Sequence, residues 1–226
     1  MSLFSKFRKA AKPDELCGAI MRGETDLAKK LLQNDRIELD GLYGGCTALM
    51  WAAGGYGAVR PSPELVALLL EKGADVNKQG DGGETALGRA SCVNATEVMK
   101  ILIANKANLD QKDSSNDTAL MSALMCRAED AAILLMEKGA AIEGISKHGN
   151  WPGFSCLRFA VNSNLKKATE RLLSLGRVGV PLEDVQGWAH NNEMKELLGW
   201  HAKERVDPAM SLREKMPARK PLKLRL

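Results

Sequence analysis

Apolar residues recur along this chain in paired bursts with helical spacing. The stretch "LLLEKGADVN", Leu68 to Asn77, reads as the end of an amphipathic helix, a glycine stop and a short extended exit. It returns in altered form as "ILIANKANLD" from Ile101 and "ILLMEKGAAIE" from Ile133. A second marker, Thr-Ala-Leu, stands at Thr47, Thr85 and Thr118, with a degenerate Ser-Cys-Leu at Ser155. The successive gaps are 38, 33 and 37 residues, as a 33-residue unit with insertions would give.

Each unit predicts two helices. The first opens at "TALMWAA", "TALGRAS", "TALMSAL" and "SCLRFAV". A Thr or Ser at the N-cap accepts a hydrogen bond from an orphan amide of the first turn. The second runs through "PELVALLLEK", "ATEVMKILIAN", "EDAAILLMEK" and "LKKATERLLSL". It stops at Gly73, Gly139 and Gly176, where a left-handed residue suits glycine. The turn between the helices also needs a permissive residue, and Asn94 and Asn164 stand there.

A 33-residue unit with a Thr-x-Leu helix start and a Gly-Ala-Asp-Val-Asn exit resembles the ankyrin repeat. The resemblance implies an all-α solenoid of stacked helix-turn-helix units with β-hairpin loops. It divides the chain into a basic N-terminal extension (1–12), a repeat domain (13–204) and a basic tail (205–226) expected to be disordered. Within the domain it implies an N-cap at 13–41, repeats at about 42–79, 80–112, 113–149 and 150–180, and a C-cap at 181–204. The caps carry more charge than the inner units, as terminal layers with one wet face require.

The chain departs from the family's Thr-Pro-Leu-His pattern. Pro is replaced by Ala48, Ala86, Ala119 and Cys156, and His by Met50, Gly88, Met121 and Arg158. Gly88 inside a helix costs roughly 1 kcal/mol against Ala. Lys106 stands where Gly73 and Gly139 stand, and a non-glycine left-handed residue costs roughly 1–2 kcal/mol. The second unit is therefore expected to be the weakest seam.

Composition narrows the picture. Of 226 residues 45 % are apolar but only 4 % aromatic, so the interior must be Leu, Ala, Ile, Val and Met in close helix contact. No apolar run exceeds about six residues, far short of a membrane span. The start "MSLFSKFRKAAKPDE" lacks the apolar core of a secretory signal. The five cysteines are an odd count without CxxC spacing, which predicts reduced thiols in the cytoplasm rather than disulfides or a zinc site. Charge is segregated. Residues 1–12 carry four basic and no acidic groups, and 205–226 carry seven against two. The body holds 21 basic against 26 acidic, which argues against nucleic acid as its partner.

Catalytic motifs are missing. HExxH, GxSxG and P-loop patterns do not occur, and "GGYG" at Gly54 lacks the following Lys-Ser/Thr. No small-molecule cofactor is implied. The cysteines and most methionines read as packing. The enzymatic alternative is a cysteine paired across repeats with His148, His190 or His201.

The expected function is non-enzymatic: binding a protein partner on the concave surface, as scaffold, inhibitor (for example an immunity protein against a toxin) or effector delivered into another cell. By resemblance, contacts come from the hairpin before each Thr and from exposed positions of the first helix. Here those are Tyr43, Trp51, Asp81, Glu84, Arg89, Ser114, Asp117, Ser122, Trp151, Phe154 and Arg158. The insertion "GGYGAVRPSP" adds Tyr56 and Arg60 as a candidate recognition loop, and "GISKHGNWPGF" presents Trp151. Aromatic and Arg side chains would anchor the partner. The alternative is a membrane-associated adaptor, because "SLFSKFRKAAK" can form a short amphipathic basic helix. The tail "RKPLKLRL" alternates basic and Leu residues, which suits a solvated end, a docking strand, or contact with nucleic acid or acidic lipid through charge alone.

Overall fold

A computed structural model describes residues 13–34, 37–142, 156–175, 187 and 189–206. Its helices alternate between two layers. The inner layer contains α1 (Pro13–Met21), α3 (Ala48–Gly54), α5 (Ala86–Cys92), α7 (Ala119–Met125) and α9 (Cys156–Asn162), each packed on the next. The outer layer contains α2 (Thr25–Leu32), α4 (Pro63–Glu71), α6 (Thr96–Ala104), α8 (Glu129–Glu137) and α10 (Lys166–Ser174), also in succession. A last helix, α11 (Asn192–Val206), packs on α10 and runs two residues past the expected C-cap.

Local chemistry sets these elements. Thr47, Thr85 and Thr118 are extended N-caps whose hydroxyls accept from the amides of Met50, Gly88 and Met121 at 3.2, 3.1 and 3.4 Å. The three threonines therefore occupy equivalent places in neighbouring layers. Gly73 and Gly139 close their helices at φ 96° and 87°, and Lys106 adopts φ 66° in the same role. Asn94 and Asn164 turn the chain at φ 56° and 58°. Arg127 does so in the third unit at φ 58°. The first unit solves this turn differently. Gly55 (φ 68°) precedes a small hairpin bridged between Tyr56 and Val59, and a Cβ there would lie 2.3 Å from the Val59 carbonyl oxygen.

The repeat is visible in the core. Leu69, Leu102 and Leu135 lie one 33-residue period apart, and all are fully buried in one continuous cluster. Polar stitches join the layers on the far side. Asp40, Asn77 and Asp110 accept through Oδ1 from the amides of Asp75, Asn108 and Ala141 at 3.0, 2.7 and 2.7 Å. The hairpin tips are also laddered, Asp81 N–H to Gly45 O at 2.9 Å and Ser114 N–H to Gly82 O at 3.0 Å. Among the described residues these tips hold isolated bridges such as Tyr43–Cys46 rather than longer strands.

One expectation fails. Cys92 and Cys126 are joined by a disulfide, with Cα atoms 5.2 Å apart. The sequence reading sought pairs at short spacing. Stacking instead superposes residues about one repeat apart, and these two are separated by 34. Cys17, Cys46 and Cys156 are free and buried. The expected basic extension, Gly176, residues 207–226 of the tail, and the second insertion with Trp151 and Phe154 lie outside the described residues.

Candidate functional site

The hairpin tips and inner helices of the second and third units enclose a groove of about 350 Å³. Glu84 and Thr85 enter it from one hairpin and Asp113 and Asp117 from the next; Arg89 and Ser122 come from α5 and α7. The hairpins are held open by their own bonds. Gly80 N–H donates to Glu84 O and Asp113 N–H to Asp117 O, both at 3.0 Å, while Asp113 Oδ1 accepts from the Ser115 and Asp117 amides. Two adjacent layers thus fix carboxylates, a hydroxyl and a guanidinium around one trough, which can pair with donor groups and with a backbone laid along it.

Of the thirteen expected contact residues, Glu84, Arg89, Asp117 and Ser122 line this groove. Asp117 is buried, and Asp81 and Ser114 are exposed at their hairpins. Tyr43, Tyr56 and Arg60 are exposed on the first unit, with Tyr56 at 53 %. Arg158 is half-buried on α9. Trp51 is only 7 % exposed. Its Nε1–H donates to Tyr43 O at 3.0 Å, Tyr56 meets it edge-on at 5.3 Å, and the Arg89 guanidinium lies 4.7 Å over its ring. It therefore supports the two exposed tyrosines from beneath and ties their loops to α5.

Sequence reasoning missed Gln111 and the Cys92–Cys126 pair, which also line the groove. The available signal was the period. Gln79 and Gln111 stand one residue off the 33-residue register, and each sends its amide to a backbone carbonyl of the other's unit: Gln79 Nε2 to Lys112 O at 2.9 Å, Gln111 Nε2 to Asn77 O at 3.2 Å.

Two of the three free thiols are chemically quiet. Burial pushes Cys17 up to about 12. Burial and donation to Glu84 Oε1 at 3.2 Å push Cys46 up to about 11. Neither is a thiolate at neutral pH, so neither is an activated nucleophile. His190 Nε2 pairs with Asn162 Oδ1 at 2.8 Å. Among the described residues no cluster of His, Cys, Asp and Glu is placed to hold a metal ion, and no helix is long and apolar enough to cross a membrane.

Residues 56–145 match the family model for ankyrin repeats in three copies. An ankyrin repeat domain-containing protein, SAT10, of Stachybotrys chartarum is 32 % identical over 56 % of this chain and 6 % of its own length. The probable E3 ubiquitin-protein ligase XBOS32 of Oryza sativa subsp. japonica is 30 % identical over 50 % of this chain and 22 % of its own. The E3 ubiquitin-protein ligase XBAT33 of Arabidopsis thaliana is 32 % identical over 48 % and 21 %. The chain spans less than a quarter of each of these relatives.

Proposed function

We propose, from the premise that this chain is an ankyrin-repeat protein, that the groove between its second and third units holds an extended segment of a partner protein. Ankyrin repeats are protein-interaction modules, generally without enzymatic activity. One observation carries the reading to this place. Carboxylates, a guanidinium and a hydroxyl from two successive layers converge on one trough, and Tyr43 and Tyr56 stand exposed on the preceding unit. Tyr contributes contact area at low entropic cost, and carboxylates held by their own hairpins are preorganised. The groove's acidic excess favours a segment rich in Lys, Arg or backbone donors.

The test is capture of partners from a native lysate with the wild-type chain and with a Glu84→Arg/Ser122→Arg variant. Both positions are half-buried, so the far-UV dichroism and melting transition should be kept. The partner captured by the wild type should be lost from the variant. Equal capture by two equally folded chains would overturn the assignment of the groove.

A further inference from the structure

We propose that the Cys92–Cys126 bond is a reducible staple, a thiol–disulfide exchange site that locks the seam between the second and third repeats and opens to a dithiol.

Three observations converge on this seam. The bond joins the end of α5 to the residue after α7, so it ties the second repeat to the third across the floor of the groove. The segment it encloses is the most strained part of the described chain. Of the five non-glycine residues with positive φ, Asn94, Lys106 and Asn116 lie inside the loop and Arg127 lies one residue beyond it. Lys106 and Arg127 have a Cβ that disfavours this conformation. Gly88 weakens α5 four residues before the bond. In a solenoid each layer is held only by its neighbours, so a strained layer opens unless something else fixes it. A cross-link closing a loop of this length lowers the entropy of the opened state.

The bond is also reachable. Cys126 is exposed and Cys92 half-buried, whereas the three free thiols are buried. Attack therefore falls on Cys126. The thiolate of a dithiol forms a mixed disulfide with its sulfur, and the Cys92 thiolate leaves and takes up a proton. The dithiol's second thiol then displaces Cys126, which is protonated in turn. The protein gains two thiols and the dithiol becomes a disulfide. Reversal needs an oxidised dithiol of the same class. With the bond open, the Lys106 and Arg127 turns are held only by packing and hydrogen bonds, and the two hairpins that frame the groove stay joined only by non-covalent bonds such as Ser114 N–H to Gly82 O and Gln79 Nε2 to Lys112 O.

The experiment uses the full chain without a partner, so its outcome is independent of the partner reading. The chain is equilibrated with oxidised or reduced dithiothreitol and followed by amide hydrogen exchange and alkylation with mass detection. Reduction should add two alkylatable thiols, Cys126 first, and speed exchange in 93–125 on the order of a hundredfold. Residues 48–71 should change little. A Cys92→Ser/Cys126→Ser variant should exchange like the reduced chain and ignore the dithiol. Exchange in 93–125 that is the same in both redox states would overturn the proposal, as would five alkylatable thiols after oxidation.

Discussion

The guanidinium of Arg89 lies 4.7 Å from the ring centroid of Trp51, though the two belong to different repeats. Arg89 Nη1 also approaches Cys46 Sγ at 3.5 Å, so one α5 side chain caps both the indole and the thiol of the preceding unit. Truncating it exposes Trp51 and removes a partly desolvated cation–π contact of about 1 kcal/mol. Arg89→Ala should lower the melting temperature by about 2–4 °C, and Arg89→Lys by less, since charge is kept while the planar stack is lost. Calorimetry of the two variants checks this; an unchanged transition in Arg89→Ala would show that the stack contributes nothing.

Lys106 bears a Cβ at φ 66° where the equivalent Gly73 and Gly139 bear none. The contact across its repeat boundary is a backbone one, Asn77 Nδ2 donating to Lys106 O at 3.3 Å, so a side-chain change leaves it in place. Lys106→Gly should stabilise by about 1 kcal/mol after glycine's own entropic cost, a rise in melting temperature of about 2–4 °C. A lowered value would refute the register of the second unit.

Asn77 joins two repeats, accepting from the Asn108 amide and donating to the Lys106 carbonyl. Its counterparts Asp40 and Asp110 only accept at this position. The acceptor is thus the shared function. Asn77→Ala should cost about 1 kcal/mol, and Asn77→Asp only part of that. Urea titration of both variants separates the two halves of the bond; equal losses would assign the effect to the donor instead.

Cys17 and Cys46 hold their protons to about pH 12 and 11 in the fold, above the ordinary thiol value of 9.0. In the unfolded chain both ionise near 9, so between there and the folded values the native state binds more protons. Their contribution is therefore complete below pH 9 and lost as pH rises, by about 1.4 kcal/mol per thiol per unit. Wild type and Cys17→Ala should differ in the slope of stability against pH between 9 and 10.5. Parallel slopes would show that burial does not protect the thiol. Over the same range Cys17 and Cys46 should alkylate far more slowly than the reduced Cys126.

Particular residues show how much was legible. The caps at Thr47, Thr85 and Thr118, the stops at Gly73 and Gly139, and the turns at Asn94 and Asn164 are local matters of hydroxyl placement and Cβ sterics. Each was readable without the fold. Arg127 was not, because nothing in its own chemistry announces a left-handed turn; only its position between α7 and α8 requires one. Trp51 was read as a candidate contact from its residue type, whereas its burial depends on Arg89 arriving from the next layer. Glu84, Asp117 and Ser122 were placed near a surface by their offset from Thr. That they share one trough with Gln111 follows from the spacing of layers.

The chain's own order of residues determined the unit, its period and its two helices, because capping, helical periodicity and left-handed stops act over a few residues. Tertiary stacking decided which side chains meet across that period: Cys92 with Cys126, Arg89 with Trp51, and Gln79 and Gln111 with the backbone of the neighbouring unit. Those meetings depend on the distance and rotation between layers, which no residue sets alone. They are what turn a repeated phrase into a groove with a covalent tie beneath it.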